Sequence, residues 1–420
     1  MNWLFRAAFV ALLVLPAFIM HGRAVADILL CGIDAAFLVV CARDIGWRWT
    51  RTAWVRIAGA WWVWLVVCSL PFLAAGGWFS FGQAVATGRF LLLVAALEFW
   101  LLRPAGARRW TMRVLTLCAA YIAAQTLLQF ATGRDVQGFT RRGDGELTGP
   151  FENPRAGAPL SRLLFPAVLP ALALMGRLAA AALAVGSVAV VVLIGQRMPL
   201  LLTIFGLLVS GLLLRRLRGV VAAGLIAGAL LVAATPIVSP RTWHRLGEKF
   251  AAQMADFPDS DYGLLAARAV VMVGQHPLLG RGFAGFRFGC SDPATFVAWD
   301  RATAHLADGG GLAACNIHPH NHYAEAATDA GLPGLALFCA MILAWLVALS
   351  RGLWRNPDPL RVGLFVAALL QEWPIASTSS FTAMEIGGFF FVLLGLGLAE
   401  ARYRVVSTSA TPPSHATPRM

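Results

Sequence analysis

His320 and Asn321 open the stretch HPHNHYAEAATDAGLPG over 318–334, which sets an imidazole directly before a helix-forming run. Asparagine is a strong helix N-cap, and the Ala-rich run from His322 to Ala330 is helix-compatible. Gly331 supplies a C-terminal stop, and Leu332 begins a new apolar run. His320 is therefore expected at the mouth of a short helix, where backbone amides carry partial positive charge and favour anions. An imidazole with an ordinary pKa of about 6.5 suits base chemistry beside a phosphate at such a place. His318, His320 and His322 alternate, so in an extended segment they would share a face and invite a metal. A cap at Asn321 turns His322 off that face, and the expectation is no metal.

Three further segments carry chemistry-bearing residues. Leu147-Thr148-Gly149-Pro150-Phe151-Glu152-Asn153-Pro154-Arg155 is rich in turn formers and reads either as a plain re-entry turn or as part of a site. Gly195-Gln196-Arg197-Met198-Pro199 is a tight turn whose arginine is the only charge between two apolar runs. Arg197 either snorkels to headgroups or holds an anion. The third segment runs from Arg268 through His276-Pro277-Leu278-Leu279-Gly280-Arg281-Gly282 to Arg287, an amphipathic stretch over about 262–275 followed by a Gly-rich turn. Its glycines are not a dinucleotide motif, since no strand precedes them. Arg281 and Arg287 read either as lipid-phosphate contacts at an interface or as substrate contacts.

The elements that must position these residues belong in a membrane. Hydrophobic residues make up 59% of the 420 and charged ones only 13%, against roughly a quarter in soluble domains. Apolar runs near the spanning length recur at 5–20, 24–42, 55–73, 84–102, 114–131, 157–175, 178–195, 199–214, 219–238, 332–350, 360–376 and 384–400. The expected fold is all-α and polytopic, with about 12 transmembrane helices and a loop-and-helix cap. Residues 1–406 form one membrane domain containing a long loop at 239–319, and 407–420 a Ser/Thr/Pro-rich, disordered tail. The first run is read as an uncleaved helix, because a second follows at once.

Arginine placement orients the chain. Arg43, Arg48, Arg51 and Arg56 fall between runs two and three, and Arg103, Arg108, Arg109 and Arg113 between four and five. Arg215, Arg216, Arg218, Arg351, Arg355 and Arg361 fall on the same side under strict alternation. By the positive-inside rule that side is cytoplasmic, with both termini. The net charge of +13 is mostly this bias, and no nucleic-acid partner is implied. The four chemical segments then lie outside the cytoplasm, where arginines at 132–155 and 239–319 need a reason such as a bound anion. Cys290 and Cys315 share that compartment and are a possible disulfide.

Together these segments resemble the O-antigen ligase and polymerase family of bacterial envelope glycosyltransferases, over roughly 85–400. The resemblance rests on His320-Asn321 followed at fixed spacing by Gly331 and Gly334, and on the turn with Gly149 and Asn153. Arg197 and the Gly280/Gly282 turn complete it. It departs at Arg155, where the family often has asparagine, and near Asp261 and Tyr262, where an arginine is usual. Arg268 lies one to two turns further on. The resemblance implies transfer of a glycan from an undecaprenyl-pyrophosphate carrier to an acceptor hydroxyl at the periplasmic face of the inner membrane. It implies no cofactor and no metal. Catalytic residues would be His320 as base and Arg197 on the pyrophosphate, with Arg268, Arg155, Asn321, Arg281, Arg287 and His318 binding substrate. Partners would be the polyprenyl-linked donor, lipid A–core or a growing glycan, and membrane lipids. A ligase is the first reading and a polymerase for O-antigen or exopolysaccharide the second. A transporter is a distant third, since the runs are nearly free of charge at their centres.

Overall fold

The computed structural model describes residues 3–152, 156–292, 296, 315–376, 378 and 380–409. Every extended element among them is helical, and the sole β feature is an isolated bridge between Arg134 and Thr140. In chain order the helices are α1 (Trp3–His21), α2 (Arg23–Val40), α3 (Ala53–Cys68), α4 (Gly77–Ala96), α5 (Ala105–Thr132) and α6 (Gly157–Leu174). Next come α7 (Arg177–Ile194), α8 (Arg197–Leu213) and α9 (Arg218–Val238). After a helical cap, α14 (His322–Ser350), α15 (Pro359–Gln371) and α16 (Met384–Ser409) complete the bundle. The chain is an all-helical, multi-pass membrane protein. Nine of its described helices are long and apolar enough to cross a membrane. Three shorter apolar ones, α3, α8 and α15, fall on the other expected runs, so twelve crossings would enlist them too.

Helix α16 is the axis of the bundle: its stretch from Met384 to Ala401 is wholly buried. Phe390 and Phe391 pack there with Trp345 of α14, while Phe338 of α14, Phe381 and Trp61 of α3 form an adjoining aromatic layer. At the rim the apolar side chains point outward, as with Leu178, Leu230 and Ile237. Such exposure is costly in water and natural against lipid tails. Helices approach closely where side chains are small. A Cβ on Gly363 of α15 would lie 2.6 Å from the Pro166 backbone of α6, the small-residue packing that membrane interfaces favour. Several buried charges are paired, which offsets their desolvation. Arg108 meets Glu400 at 3.0 Å, and Glu98 accepts from Trp54 Nε1 at 2.8 Å and Arg402 Nε at 2.6 Å.

The long segment expected as a loop-and-helix cap is largely helical up to residue 289. It holds α10 (Pro240–Trp243), a π-helical turn (His244–Glu248), α11 (Lys249–Ala255), α12 (Asp261–Gln275) and α13 (Gly285–Gly289). Ser260 caps α12 by accepting from the Gly263 amide, and Asp261 adds negative charge to its first turn. Leu265, Ala269, Met272, Phe286, Cys290 and Phe296 give this cap a small core of its own. At the other end of the chain α16 continues to Ser409, into the stretch expected to be a tail.

Candidate functional site

Asn321 is the N-cap of α14. Its Oδ1 accepts from the Tyr323 and Ala324 amides, both at 3.0 Å, and its Nδ2 donates to the Pro374 carbonyl at 2.7 Å. The helix mouth is thereby tied to the segment leading into α16. His320 immediately before it has φ +55°, a left-handed conformation uncommon outside glycine. Three contacts hold it there. Its amide donates to His318 Nδ1 at 3.3 Å, and its carbonyl accepts from the Thr378 amide at 2.9 Å. Its ring Nε2 faces Asn316 Nδ2 at 3.1 Å. Asn316 Oδ1 is taken by the Ile317 amide, so its side chain presents a donor to the ring. In that arrangement His320 Nε2 is the unprotonated nitrogen, the one able to accept a proton.

The other two histidines of the run do different work. The His318 ring lies edge-on to that of His320, 4.3 Å between centroids. Burial first, then the neighbouring His320 and His322, push its pKa down to about 4, so it is neutral and can accept the His320 amide. His322 points into the core, with Nδ1 3.0 Å from Glu372 Oε2. The three imidazoles therefore do not share one face.

Tyr262, in the first turn of α12, joins this point to the arginine expected from the sequence. Its ring is edge-on to His320 at 5.8 Å. Tyr262 is also an electrostatic neighbour of Arg197, as are Arg245, Glu146 and Asp261. Arg197 is the first residue of α8, after Gly195 turns the chain with φ +78°. Its guanidinium donates to Gln253 Oε1 of α11. Glu146, buried, accepts from Gln196 Nε2 at 3.4 Å and from Arg245, which also pairs with Asp144 at 2.8 Å. The turn after it is held by buried Gln129, whose Oε1 accepts from the Thr148 and Gly149 amides at 2.9 and 3.1 Å. Leu147 donates to the Ile194 carbonyl at 3.1 Å, which seals the first turn against the second. The arrangement holds an acceptor imidazole against a phenol that is also an electrostatic neighbour of a half-buried guanidinium, a set able to take a proton and offset an anion.

The glycine motifs form a joint rather than a phosphate cradle. Gly331 has φ +67° and breaks α14 after its first turns. The carbonyls left at that break find donors in the turn after His276. Thr328 and Asp329 accept from the Arg281 and Gly282 amides at 2.8 and 2.9 Å, and Ala330 accepts from Trp64 Nε1 at 2.9 Å. Leu332 returns a bond to Pro277 at 2.8 Å. The Asp329 carboxylate receives the Ala284 and Gly285 amides at 3.2 and 2.9 Å. A Cβ on Gly280 would lie 2.5 Å from the Asp329 backbone, and one on Gly334 2.2 Å from Ala330 Cβ.

Residues 181–339 match the family described as O-antigen ligase. Over this stretch the chain is similar to the O-antigen ligase family. No curated protein matches it.

Within the matched segment lie Arg197, Tyr262, Arg268, the Gly280/Gly282 turn, His320 and Gly331/Gly334; the Gly149 turn lies before it. Not all the arginines expected at the site are brought there. Arg268 is fully buried in the cap core, where it donates to the Cys290 carbonyl at 2.6 Å and lies 4.2 Å from the Phe296 ring centroid. Arg281 bonds Gln275 at 3.2 Å in the joint, and Arg287 lies over Phe79 and Phe288. Cys290 and Cys315 are bonded to each other, Cα–Cα 5.6 Å. Arg155 and Asn153 lie outside the described residues. Tyr262, Arg245, Gln253 and Glu146 were not anticipated. The available signals were the tyrosine standing where the family usually has arginine, and the excess of arginines in the segment now seen as a cap.

Proposed function

We propose that this membrane protein is an O-antigen ligase-type glycosyltransferase, moving a glycan from a polyprenyl-pyrophosphate carrier to a sugar hydroxyl of lipid A–core. Tyr262, edge-on to the His320 ring and an electrostatic neighbour of Arg197, carries this reading. His320 Nε2 takes the proton of the attacking hydroxyl. The hydroxyl oxygen bonds to the anomeric carbon as the carbon–phosphate-oxygen bond breaks, with inversion. Polyprenyl pyrophosphate departs with its charge offset by Arg197, whose fork suits phosphate oxygens. Arg245, braced by Asp144 and Glu146, adds positive charge near Arg197. Arg268 acts from within the cap as a clamp, and Asn321 by fixing the helix mouth. Neither metal nor nucleotide sugar enters the scheme. The arginine distribution supports an inner-membrane protein with cytoplasmic termini and a periplasmic site.

A gene deletion separates ligase from polymerase. Loss of every attached long chain while lipid-linked chains accumulate is the ligase outcome. Retention of single-unit caps on lipid A–core would replace it with a polymerase.

A further inference from the structure

A second cavity lies at the opposite end of the bundle from His320. Helices α3, α4 and α16 all have one end near the candidate site. Ser69 after α3 bonds the Phe283 amide, Ser80 of α4 bonds the Phe283 carbonyl, and Phe381 before α16 packs on His322. Their far ends, with the turn between α2 and α3, border an open cleft of about 380 Å³. Arg48, Arg103 and Arg402 line this space with Trp49, Phe99 and Tyr403. Such a volume falls within the range of ordinary ligand sites.

Both helices beside it widen into π-helical turns at this level, Cys41–Ile45 after α2 and Leu97–Leu101 after α4. Turns of that kind recur at functional sites. The charge is organised rather than diffuse. Glu98 fixes Arg402 through Nε at 2.6 Å, and the guanidinium lies 4.6 Å from the Phe99 ring centroid. Arg48 and Arg103 form no ion pair with any described carboxylate. Three guanidiniums against one carboxylate leave an excess of two positive charges around the cavity. Aromatic rings beside basic groups at the ends of spanning helices are the chemistry of the headgroup layer, and basic pockets there take anionic headgroups.

We infer that this cavity binds the phosphate headgroup of an anionic phospholipid from the leaflet opposite the candidate site. Arg48 and Arg103 supply the charge, and the Trp49, Phe99 and Tyr403 rings meet the glycerol backbone. The full chain, purified and placed in nanodiscs of mixed phosphatidylglycerol and phosphatidylcholine, is released into native mass spectrometry and its retained lipids are counted. Wild type should keep a phosphatidylglycerol and not a phosphatidylcholine. An Arg48→Gln/Arg103→Gln double variant should hold it about 30-fold more weakly, at roughly fivefold for each arginine facing an anionic headgroup. Arg48→Lys/Arg103→Lys should restore most of the retention, which excludes misfolding as the cause. Arg109→Gln/Arg113→Gln, which removes as much charge outside the cavity, should leave it unchanged. Equal retention in the glutamine variant, or equal loss in the control pair, overturns the site. Displacement of the lipid by millimolar inorganic phosphate overturns the headgroup assignment in favour of free phosphate.

Discussion

Replacing Gly331 by alanine attacks the joint between the His320 helix and the cap. Its φ of +67° with ψ of −171° lies in a region essentially restricted to glycine, at a cost of about 1–3 kcal/mol for another residue. The added Cβ would also lie 2.4 Å from the Leu278 carbonyl oxygen and 2.7 Å from that of Pro277. Both are backbone atoms of a turn held by three hydrogen bonds, so relief must come from moving the turn. Overpacking of that kind costs about 1–3 kcal/mol. Together the penalty is about 4 kcal/mol, concentrated where Arg281 and Gly282 donate to Thr328 and Asp329. Gly274→Ala on α12 is the internal control, since its Cβ meets nothing within 4 Å and an interior helical alanine gains up to about 1 kcal/mol. Melting in detergent by tryptophan fluorescence, with amide exchange at Arg281, Gly282 and Leu332, reads both effects. If Gly331→Ala melts with the control and keeps those amides protected, the joint does not hold the helix as described.

Three other expectations concern the helix mouth and its cap. Asn321→Ala removes the acceptor of two amides and should cost about 1 kcal/mol, while Asn321→Asp keeps the acceptor and should lose less; equal melting of all three proteins would refute the cap's role. His318 is held neutral with a pKa near 4, below its unfolded value of about 6.5. Its contribution is therefore complete above pH 6.5 and fades as pH falls toward 4, by roughly 3 kcal/mol at most. His318→Asn should flatten that acid limb of the melting curve, and an unchanged limb would contradict it. Cys290→Ser/Cys315→Ser opens a loop of sequence separation 25, which should cost roughly 3 kcal/mol and expose the cap to protease first. Protease resistance equal to wild type would refute the staple.

The sequence made legible what local signals encode. Asn321 as a cap and Gly331 as a break follow from side-chain hydrogen bonding and from the φ only glycine tolerates, and both hold in the structure. The apolar runs mark the helices because lipid imposes length and composition together. Arg197 stands at the head of α8 for the same reason: a glycine turn and one charge between two apolar helices. What failed to show depends on tertiary approach. Nothing local to Tyr262 announces a ring contact with His320, or that Gln253 would meet Arg197. Arg268 sits on an amphipathic helix whose inward face is set only once Cys290 and Phe296 pack on it. The alternation of three histidines suggested one shared face. The helix start at His322 sends that ring alone into the core, as the Asn321 cap implies, while the His318 and His320 rings stay edge-on to each other.

The central claim is that His320 removes the acceptor proton while Arg197 holds the leaving pyrophosphate. Its most direct test is single-turnover transfer by purified protein, using lipid-linked glycan and lipid A–core, for His320→Gln and Arg197→Lys. The account predicts that His320→Gln still binds donor but transfers at least about 100-fold more slowly, as loss of a general base requires. It also predicts that the wild-type rate rises through the titration of one imidazole and that this dependence vanishes in the variant. Arg197→Lys, keeping charge but losing the fork, should slow transfer as well. Full transfer by a stably folded His320→Gln protein would contradict the account.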